Sequence, residues 1–330
     1  WYFIFLLCNY KTQKMKIKFY WTRGSTPISN PNSIIYWGNT TSLRVFSDCL
    51  PKDTLLSIDA GTWFVPMSME ALKEWWKSKV TILFTHYHHD HTQWLFLSPY
   101  LFIKNINLKL IGPVDTGVWP KKMIQTLVKP PYFPVHYKEV ESHLTYEGFD
   151  FLQTVVIIYH PIWGQKTISK REYELILKEW TQLKMWKISV SINECLVILM
   201  HKSNHPEHTV SYRFEEKTTG KTFIFMTDHE NQDGLSNSLR SYLTGADFLV
   251  MDSQYTKERY EKATAGFWHG TPDYCARIAK EVGVKKLGLT HHDPNSSDAD
   301  VDKITQTAIE YANSPDMEIF AVKDYQEIEL

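Results

Sequence analysis

Between positions 86 and 91 the chain reads His86-Tyr87-His88-His89-Asp90-His91, four imidazoles and a carboxylate within six residues. Neutral imidazoles with a carboxylate are the donor set that suits zinc, at about 2.0–2.2 Å, and they accept other divalent ions as well. A segment leaving a strand end aims alternate side chains, here His86 and His88, at one point. A tight turn then brings Asp90 and His91 to a second point close by. His89 points away from both. A lone histidine on an apolar face is usually a satisfied core residue, but four in six residues with an intervening aspartate are not explained that way. The spacing points to metal chemistry. The chain holds 14 histidines in all, and a second adjacent pair, His291 and His292, lies far downstream.

Such a cluster needs a rigid strand before it, and Val80–Thr85 supplies a continuous apolar run that leads directly into His86. Upstream, Met15–Tyr20, Ser42–Phe46 and Leu55–Asp59 read as short strands separated by Gly, Asn, Pro and Asp. A helix is expected over Ser68–Lys79, where Met69, Leu72 and Trp75/Trp76 recur at helical spacing. Downstream, strands are expected at Leu108–Ile111, Thr209–Phe214, Thr222–Thr227, Phe248–Asp252, Lys286–Thr290 and Glu318–Val322. Helices are expected at Pro272–Val282, capped by Thr271, and at Ser297–Ala312. Strands and helices interleave throughout, so the chain is α/β. Two segments stand apart. Lys129-Pro-Pro-Tyr-Phe-Pro-Val135 suits a stiff surface loop carrying Tyr132 and Phe133. Lys170–Lys187, with Tyr173, Ile176, Leu177, Trp180 and Leu183 among charges, reads as one amphipathic helix between two β-like runs, Thr154–Tyr159 and Ile188–Met200.

With 330 residues, 43% of them hydrophobic and 22% charged, the chain can bury a sizeable core without staples and is no disordered tail. The length allows two ordinary domains or one large one. Its 36 basic and 37 acidic residues leave a net charge of −1, so no global field draws it to nucleic acid or membrane. Cys8, Cys49, Cys195 and Cys275 show no C-x-x-C spacing and read as the reduced thiols of a cytoplasmic protein. Trp1–Cys8 is apolar but far short of the ~20 residues that span a bilayer, and it lacks the flanks of a signal peptide, so no membrane partner is expected. The regular pattern opens at Met15, and residues 1–14 are expected to be an unstructured or non-native extension.

The cluster resembles the H-x-H-x-D-H signature of the metallo-β-lactamase fold superfamily, and the similarity extends over nearly all of Met15–Val322. Ile58-Asp59-Ala60-Gly61-Thr62 looks like the strand-turn that precedes the signature there. Asn204-His205-Pro206, Phe223-Ile-Phe-Met-Thr-Asp228 and Leu287-Gly-Leu-Thr-His291 look like the segments that bring in its remaining ligands. The resemblance implies a four-layer αββα sandwich of the metallo-β-lactamase type, one hydrolase domain over residues 15–330 with an insertion at about 154–200. It implies one metal held by His86, His88 and His205, a second held by Asp90, His91 and His291, and Asp228 bridging the two. Zinc is expected, with manganese open. His201 and His208 are the alternatives to His205, and His292 is the alternative to His291. Phe267-Trp268-His269-Gly270-Thr271 is similar to the H-S-T motif of the phosphodiesterase branch, which includes ribonuclease Z. In that branch the histidine faces the scissile phosphate, so His269 is the expected catalytic acid, beside Asp90, which would also orient the attacking water. Gly270 stands where the branch usually has serine. Arg23-Gly-Ser-Thr-Pro27, Tyr36-Trp-Gly-Asn-Thr40, Pro130-Pro-Tyr-Phe-Pro134 and His291-His-Asp-Pro294 look like segments of bacterial hydrolases close to cyclic-nucleotide phosphodiesterases, with Trp37 in place of the usual glycine.

The expectation is therefore a dinuclear metal-dependent hydrolase, a phosphodiesterase on a small cyclic nucleotide, with Tyr132 and Phe133 available to stack a base. Ribonuclease Z-like cleavage of RNA 3′ ends is the alternative; without a Lys/Arg-dense arm, long nucleic acid is not the expected partner. A carbon-ester, lactam or thioester hydrolase on the same fold is a third reading, since fold alone never settles substrate. A catalytically silent binding protein is disfavoured by seven ligand-type residues. The Thr154–Met200 segment could serve as a lid or as the contact of a homodimer.

Overall fold

The apolar runs flanking the histidine cluster are too continuous to face water on either side, and the fold covers both of their faces. The computed structural model describes residues 15–74, 77–150 and 155–330. The expectations for residues 1–14, Trp75, Trp76 and Thr154 fall outside that set. The first sheet contains β1 (Lys16–Phe19), β2 (Leu43–Phe46), β3 (Thr54–Ile58), β4 (Lys79–Leu83), β5 (Asn107–Pro113) and β6 (Leu144–Phe149), and β17 (Glu327–Glu329) pairs with β1 at its edge. The second sheet runs from β16 (Glu318–Ala321) through β15 (Lys286–Thr290), β14 (Phe248–Asp252), β13 (Lys221–Met226), β12 (Val210–Glu216), β11 (Leu196–Lys202) and β7 (Val155–His160) to β8 (Gly164–Ser169). A separate hairpin pairs β9 (Leu183–Met185) with β10 (Ile188–Val190).

Alternate residues of one strand serve two apolar layers. In β13, Phe223 and Phe225 enter the layer between the sheets with Trp21, Val45, Ile58, Tyr212 and Val250. Ile224 and Met226 face the other way, onto the helices Asn237–Leu243, Pro272–Glu281 and Asp298–Ala312. Across the molecule, Val80, Ile82 and Leu110 pack against Phe64, Met67 and Ile124 of the helices Phe64–Leu72 and Pro120–Leu127. Each such side chain contributes about 1.5–3 kcal/mol by leaving water. The product is the expected four-layer αββα sandwich.

Strands β3 to β6 are mutually parallel, and so are β13 to β16, so in each set the C-terminal ends lie along one edge. The sheets are tied together beside the cluster. The Tyr212 hydroxyl donates to the Phe84 carbonyl at 2.6 Å, and the Val210 N–H donates to the Thr85 carbonyl at 2.9 Å. This is where open α/β sheets gather their ligands.

Several boundaries differ from expectation. The helix placed at Ser68–Lys79 starts at Phe64 and ends at Leu72. Lys170–Lys187 is not one helix: the helix Lys170–Glu179 stops at Trp180, whose φ of 53° is left-handed, and Leu183 belongs to the β9–β10 hairpin. Ile188–Met200 is two strands, β10 and β11, parted by a 3₁₀ turn at Ile192–Glu194. Thr271 occupies the N-cap position of Pro272–Glu281, but its side chain makes no capping bond and instead accepts from Asn231 at 2.9 Å. Among the described residues no helix is long and apolar enough to cross a membrane.

Candidate functional site

Three strand ends turn back sharply to deliver their last carboxylate or imidazole. Asp59 after β3, Asp228 after β13 and His291 after β15 all have left-handed φ, at 56°, 48° and 59°. For residues with a Cβ this costs about 1–2 kcal/mol each, and it persists where surrounding bonds over-determine the backbone. Gly24 makes room for one of them: a Cβ there would lie 2.1 Å from the His291 ring.

Most of the imidazoles are held by the nitrogen facing away from the cleft. His86 Nδ1 lies 3.1 Å from Thr85 Oγ1, His91 Nδ1 2.8 Å from Asp59, His205 Nδ1 2.9 Å from Thr209 Oγ1, and His291 Nδ1 3.1 Å from Gln254 Oε1. That fixes each ring and leaves Nε2 for the cleft. The Nε2 atoms of His86 and His291 are buried with no hydrogen-bond partner, which is costly for an imidazole unless a cation takes the lone pair.

The donor atoms form two groups around Asp228. His86, His88, His205 and Asp228 offer ligand atoms within 4.8 Å of one another, and so do Asp90, His91 and His291. Asp228 presents Oδ2 to His86 Nε2 at 3.6 Å, and Oδ1 to His91 Nε2 and His291 Nε2 at 3.4 Å each. Asp90 Oδ2 lies 3.3 Å from His91 Nε2 and 3.5 Å from His291 Nε2, and it accepts the Ser25 N–H at 2.8 Å. Two ligands on a tetrahedral ion at about 2.0–2.2 Å stand roughly 3.3–3.6 Å apart. The residues therefore fit the divalent ions that the fold family implies.

The electrostatics agree. Burial pushes His86 well below its ordinary range and His205 down to about 4. Burial also opposes charge on His91 and His291, but carboxylates outweigh it. Asp90, Asp228 and Asp59 lift His91 well above the ordinary range, and Asp228, Asp252 and Asp90 lift His291 to about 9. Asp90 and Asp228 are likewise buried, yet His91 and His291 hold both well below the usual carboxylate range. Two neighbouring buried carboxylates demand positive charge, and metal ions can supply it in place of these protons.

His269 stands beside this centre, its ring stacked on that of His291 at 4.7 Å between centroids. It also lies within ligand range of Asp228 and His291. Its Nδ1 is 2.7 Å from Asp252 Oδ2, a buried carboxylate at the end of β14. Gly270 has a steric reason for lacking a side chain: a Cβ there would sit 2.4 Å from the Asp252 carbonyl oxygen. Trp268, with φ of 64°, faces the His205 ring at 6.2 Å and forms part of the mouth.

Of the alternatives, His201 bonds to the Lys202 carbonyl and Ser238, His208 bonds to the Val114 carbonyl, and His292 packs edge-on to Tyr36, so none joins the cluster. His88 is the exposed member of its group, and His89 is exposed as well. Phe133 is partly buried, its ring near those of Phe96 and Phe102; Tyr132 is exposed. Asp252, Gln254 and the role of Asp59 escaped sequence reasoning. Asp252 had a usable signal, since β14 lies between β13 and β15 and its last residue must emerge between Asp228 and His291.

The Beta-lactamase superfamily domain is matched over residues 163–292. Ribonuclease Z of Brevibacillus brevis is 38% identical over 87 residues, a match that spans 26% of this chain and 26% of that protein. Ribonuclease Z of Thermoplasma acidophilum is 23% identical over 264 residues, covering 76% of this chain and 78% of that one. Among solved structures, the metallo-beta-lactamase fold protein YhfI from Bacillus subtilis superposes with a TM-score of 0.60 at 16% identity, covering 96% of this chain and 99% of its own.

Proposed function

We propose that this metal-dependent hydrolase of the metallo-β-lactamase superfamily, from the branch that includes ribonuclease Z, is a phosphodiesterase with a dinuclear centre. His86, His88 and His205 would hold one ion, Asp90, His91 and His291 the other, with Asp228 shared between them. The observation that supports this reading most is that Asp228 turns one oxygen to each group. Zinc or manganese bound there would activate water near neutral pH and offset charge on the phosphoester. Asp90, anchored by the Ser25 N–H, accepts a hydrogen bond from the attacking water and orients it. Asp252 accepts a hydrogen bond from His269 Nδ1–H and steadies the imidazolium, so the proton that leaves for the departing alkoxide is the one on Nε2. We read residues 15–330 as one domain acting in the cytoplasm, where the buried thiols of Cys49, Cys195 and Cys275 stay reduced.

The first substrate class is a small or cyclic nucleotide, because a chain of net charge −1 gains little from a long polyanion. RNA 3′-end cleavage is the second reading, and the ribonuclease Z relatives favour it. The test is hydrolysis by metal-loaded enzyme of bis-p-nitrophenyl phosphate beside a β-lactam and a thioester. The phosphodiester alone should turn over, and preferred cleavage of either other bond refutes the proposal. A panel of cyclic nucleotides set against a tRNA precursor then divides the two substrate classes.

A further inference from the structure

One carboxylate at the mouth of the cleft has no part in the scheme above. Glu207 follows His205-Pro206 in the loop that enters β12. One of its oxygens lies 2.9 Å from His205 Nδ1, and the other lies 3.6 Å from His88 Nε2. His88 is delivered by the first sheet and His205 by the second, so a single side chain spans the gap between them. The oxygen beside His205 is buried and has no hydrogen-bond partner of its own, an expensive place for a carboxylate with no task. Among the other outer partners, Asp59 holds His91, Gln254 holds His291, and Thr85 Oγ1 touches His86 and His91, two rings carried by the same sheet. Glu207 faces two rings carried by different sheets.

We propose that Glu207 is a positioning residue: it couples His88 to His205 and thereby sets the affinity of the first metal site, leaving the second site alone. This rests on the two-metal reading given above. A carboxylate facing the outer edge of a ligating imidazole fixes the ring and raises its basicity, and losing such a partner typically lowers metal affinity about 10–100-fold. His88 needs the support most, because its side chain is 46% exposed and neighbouring packing does little to hold it. Thr209, already at His205 Nδ1, keeps that ring in place when Glu207 is removed, so the larger disturbance falls on His88.

The experiment uses full-length protein stripped by chelator and titrated with Zn(II) alone against a chromophoric competitor, for wild type, Glu207→Ala and Glu207→Gln. The wild type should take up two ions. In Glu207→Ala one site should weaken about 10–100-fold while the other is unchanged, with Glu207→Gln in between because its amide oxygen still accepts a hydrogen bond. Melting of the stripped proteins should coincide. Unchanged affinity at both sites overturns the proposal, and so does equal weakening of both together with lower melting, which marks a merely structural role. A Co(II) spectrum whose coordination number differs between wild type and Glu207→Ala also overturns it, because Glu207 would then be a ligand. If the wild type binds one ion, the dinuclear reading fails; where His88→Ala abolishes that ion, Glu207→Ala should still weaken it about 10–100-fold, and where His88→Ala leaves it bound, the proposal for Glu207 falls as well.

Discussion

Trp180 and Trp186 sit at the two turns that shape the β9–β10 insertion, and glycine should serve better at both. Their φ values are 53° and 57°, and their side chains are 89% and 85% exposed. A left-handed backbone costs a residue with a Cβ about 1–2 kcal/mol. Glycine removes that cost but gives back about 0.5–1 kcal/mol through the greater freedom of the unfolded chain. Almost no apolar contact is lost, so the net gain is about 0.5–1 kcal/mol at each site. Trp180 also ends the helix Lys170–Glu179, at the position where glycine is the preferred stop. The double variant Trp180→Gly/Trp186→Gly should therefore be more stable by about 1–2 kcal/mol, a rise of roughly 1.5–3 °C in Tm for a chain of this length. Urea titration and thermal melting followed by circular dichroism measure it. Trp163→Gly is the control, because Trp163 makes the same chemical change on a backbone without positive φ. A double variant that melts at or below wild type, or a Trp163→Gly variant that gains as much, refutes the reasoning. The same logic reaches further. Of the eleven described non-glycine residues with positive φ, four are tryptophan: Trp37, Trp180, Trp186 and Trp268. A bulky side chain is the rarest occupant of that region, and these are glycine positions filled by tryptophan.

Three other outcomes follow from the site and the fold. His269→Ala should lower kcat about 10²–10⁴-fold with both ions retained, read by steady-state kinetics beside elemental analysis; loss of metal would make His269 a ligand. Asp228→Ala should abolish turnover and reduce bound metal at both sites, and a variant that keeps its full complement contradicts the bridging role. Asp324 tests the fold by pH: burial raises its carboxyl to about 8 although Thr22, Asn39 and Arg23 favour the charged form. The folded chain then holds a proton that the unfolded chain gives up near pH 4, so this group makes stability fall as pH rises from about 4 to about 8. Asp324→Asn should flatten urea midpoints across that window, and an unchanged slope locates the pH dependence elsewhere.

What could be read from the sequence was what is local. β4 and the cluster were legible because a continuous apolar run and four imidazoles in six residues both lie within one short window. β14 and β15 were placed to the residue, since buried parallel strands have sharply bounded apolar runs. Asp59 and Gln254 were not legible, because each acquires meaning only from a histidine 32 or 37 positions away. The break at Trp180 was hidden for a different reason: tryptophan counts as an apolar helix residue and carries no stop signal, so the helical pattern was carried on through it to Leu183. A proline-rich loop gives no sign of which aromatic turns inward: Phe133 is partly buried near Phe96 and Phe102, whereas Tyr132 is exposed.

The division of the ligands between sheets has an energetic consequence. His86, His88, Asp90 and His91 arrive from the first sheet, whereas His205, Asp228 and His291 arrive from the second. Each proposed ion thus takes donors from both sheets, and the free energy of binding is also free energy of holding the sheets together. A ligand that binds only the folded state at 1,000 times its Kd stabilises it by about 4 kcal/mol. The polar atoms left orphaned at His86 and His291, and the positive charge gathered on His91 and His291 by Asp90 and Asp228, are the strain of a cleft shaped for cations. Loading with metal should relieve both at once. In the proposed two-ion centre, Asp228, left-handed, buried and facing both groups, would be the side chain through which removal of either ion is felt at the other.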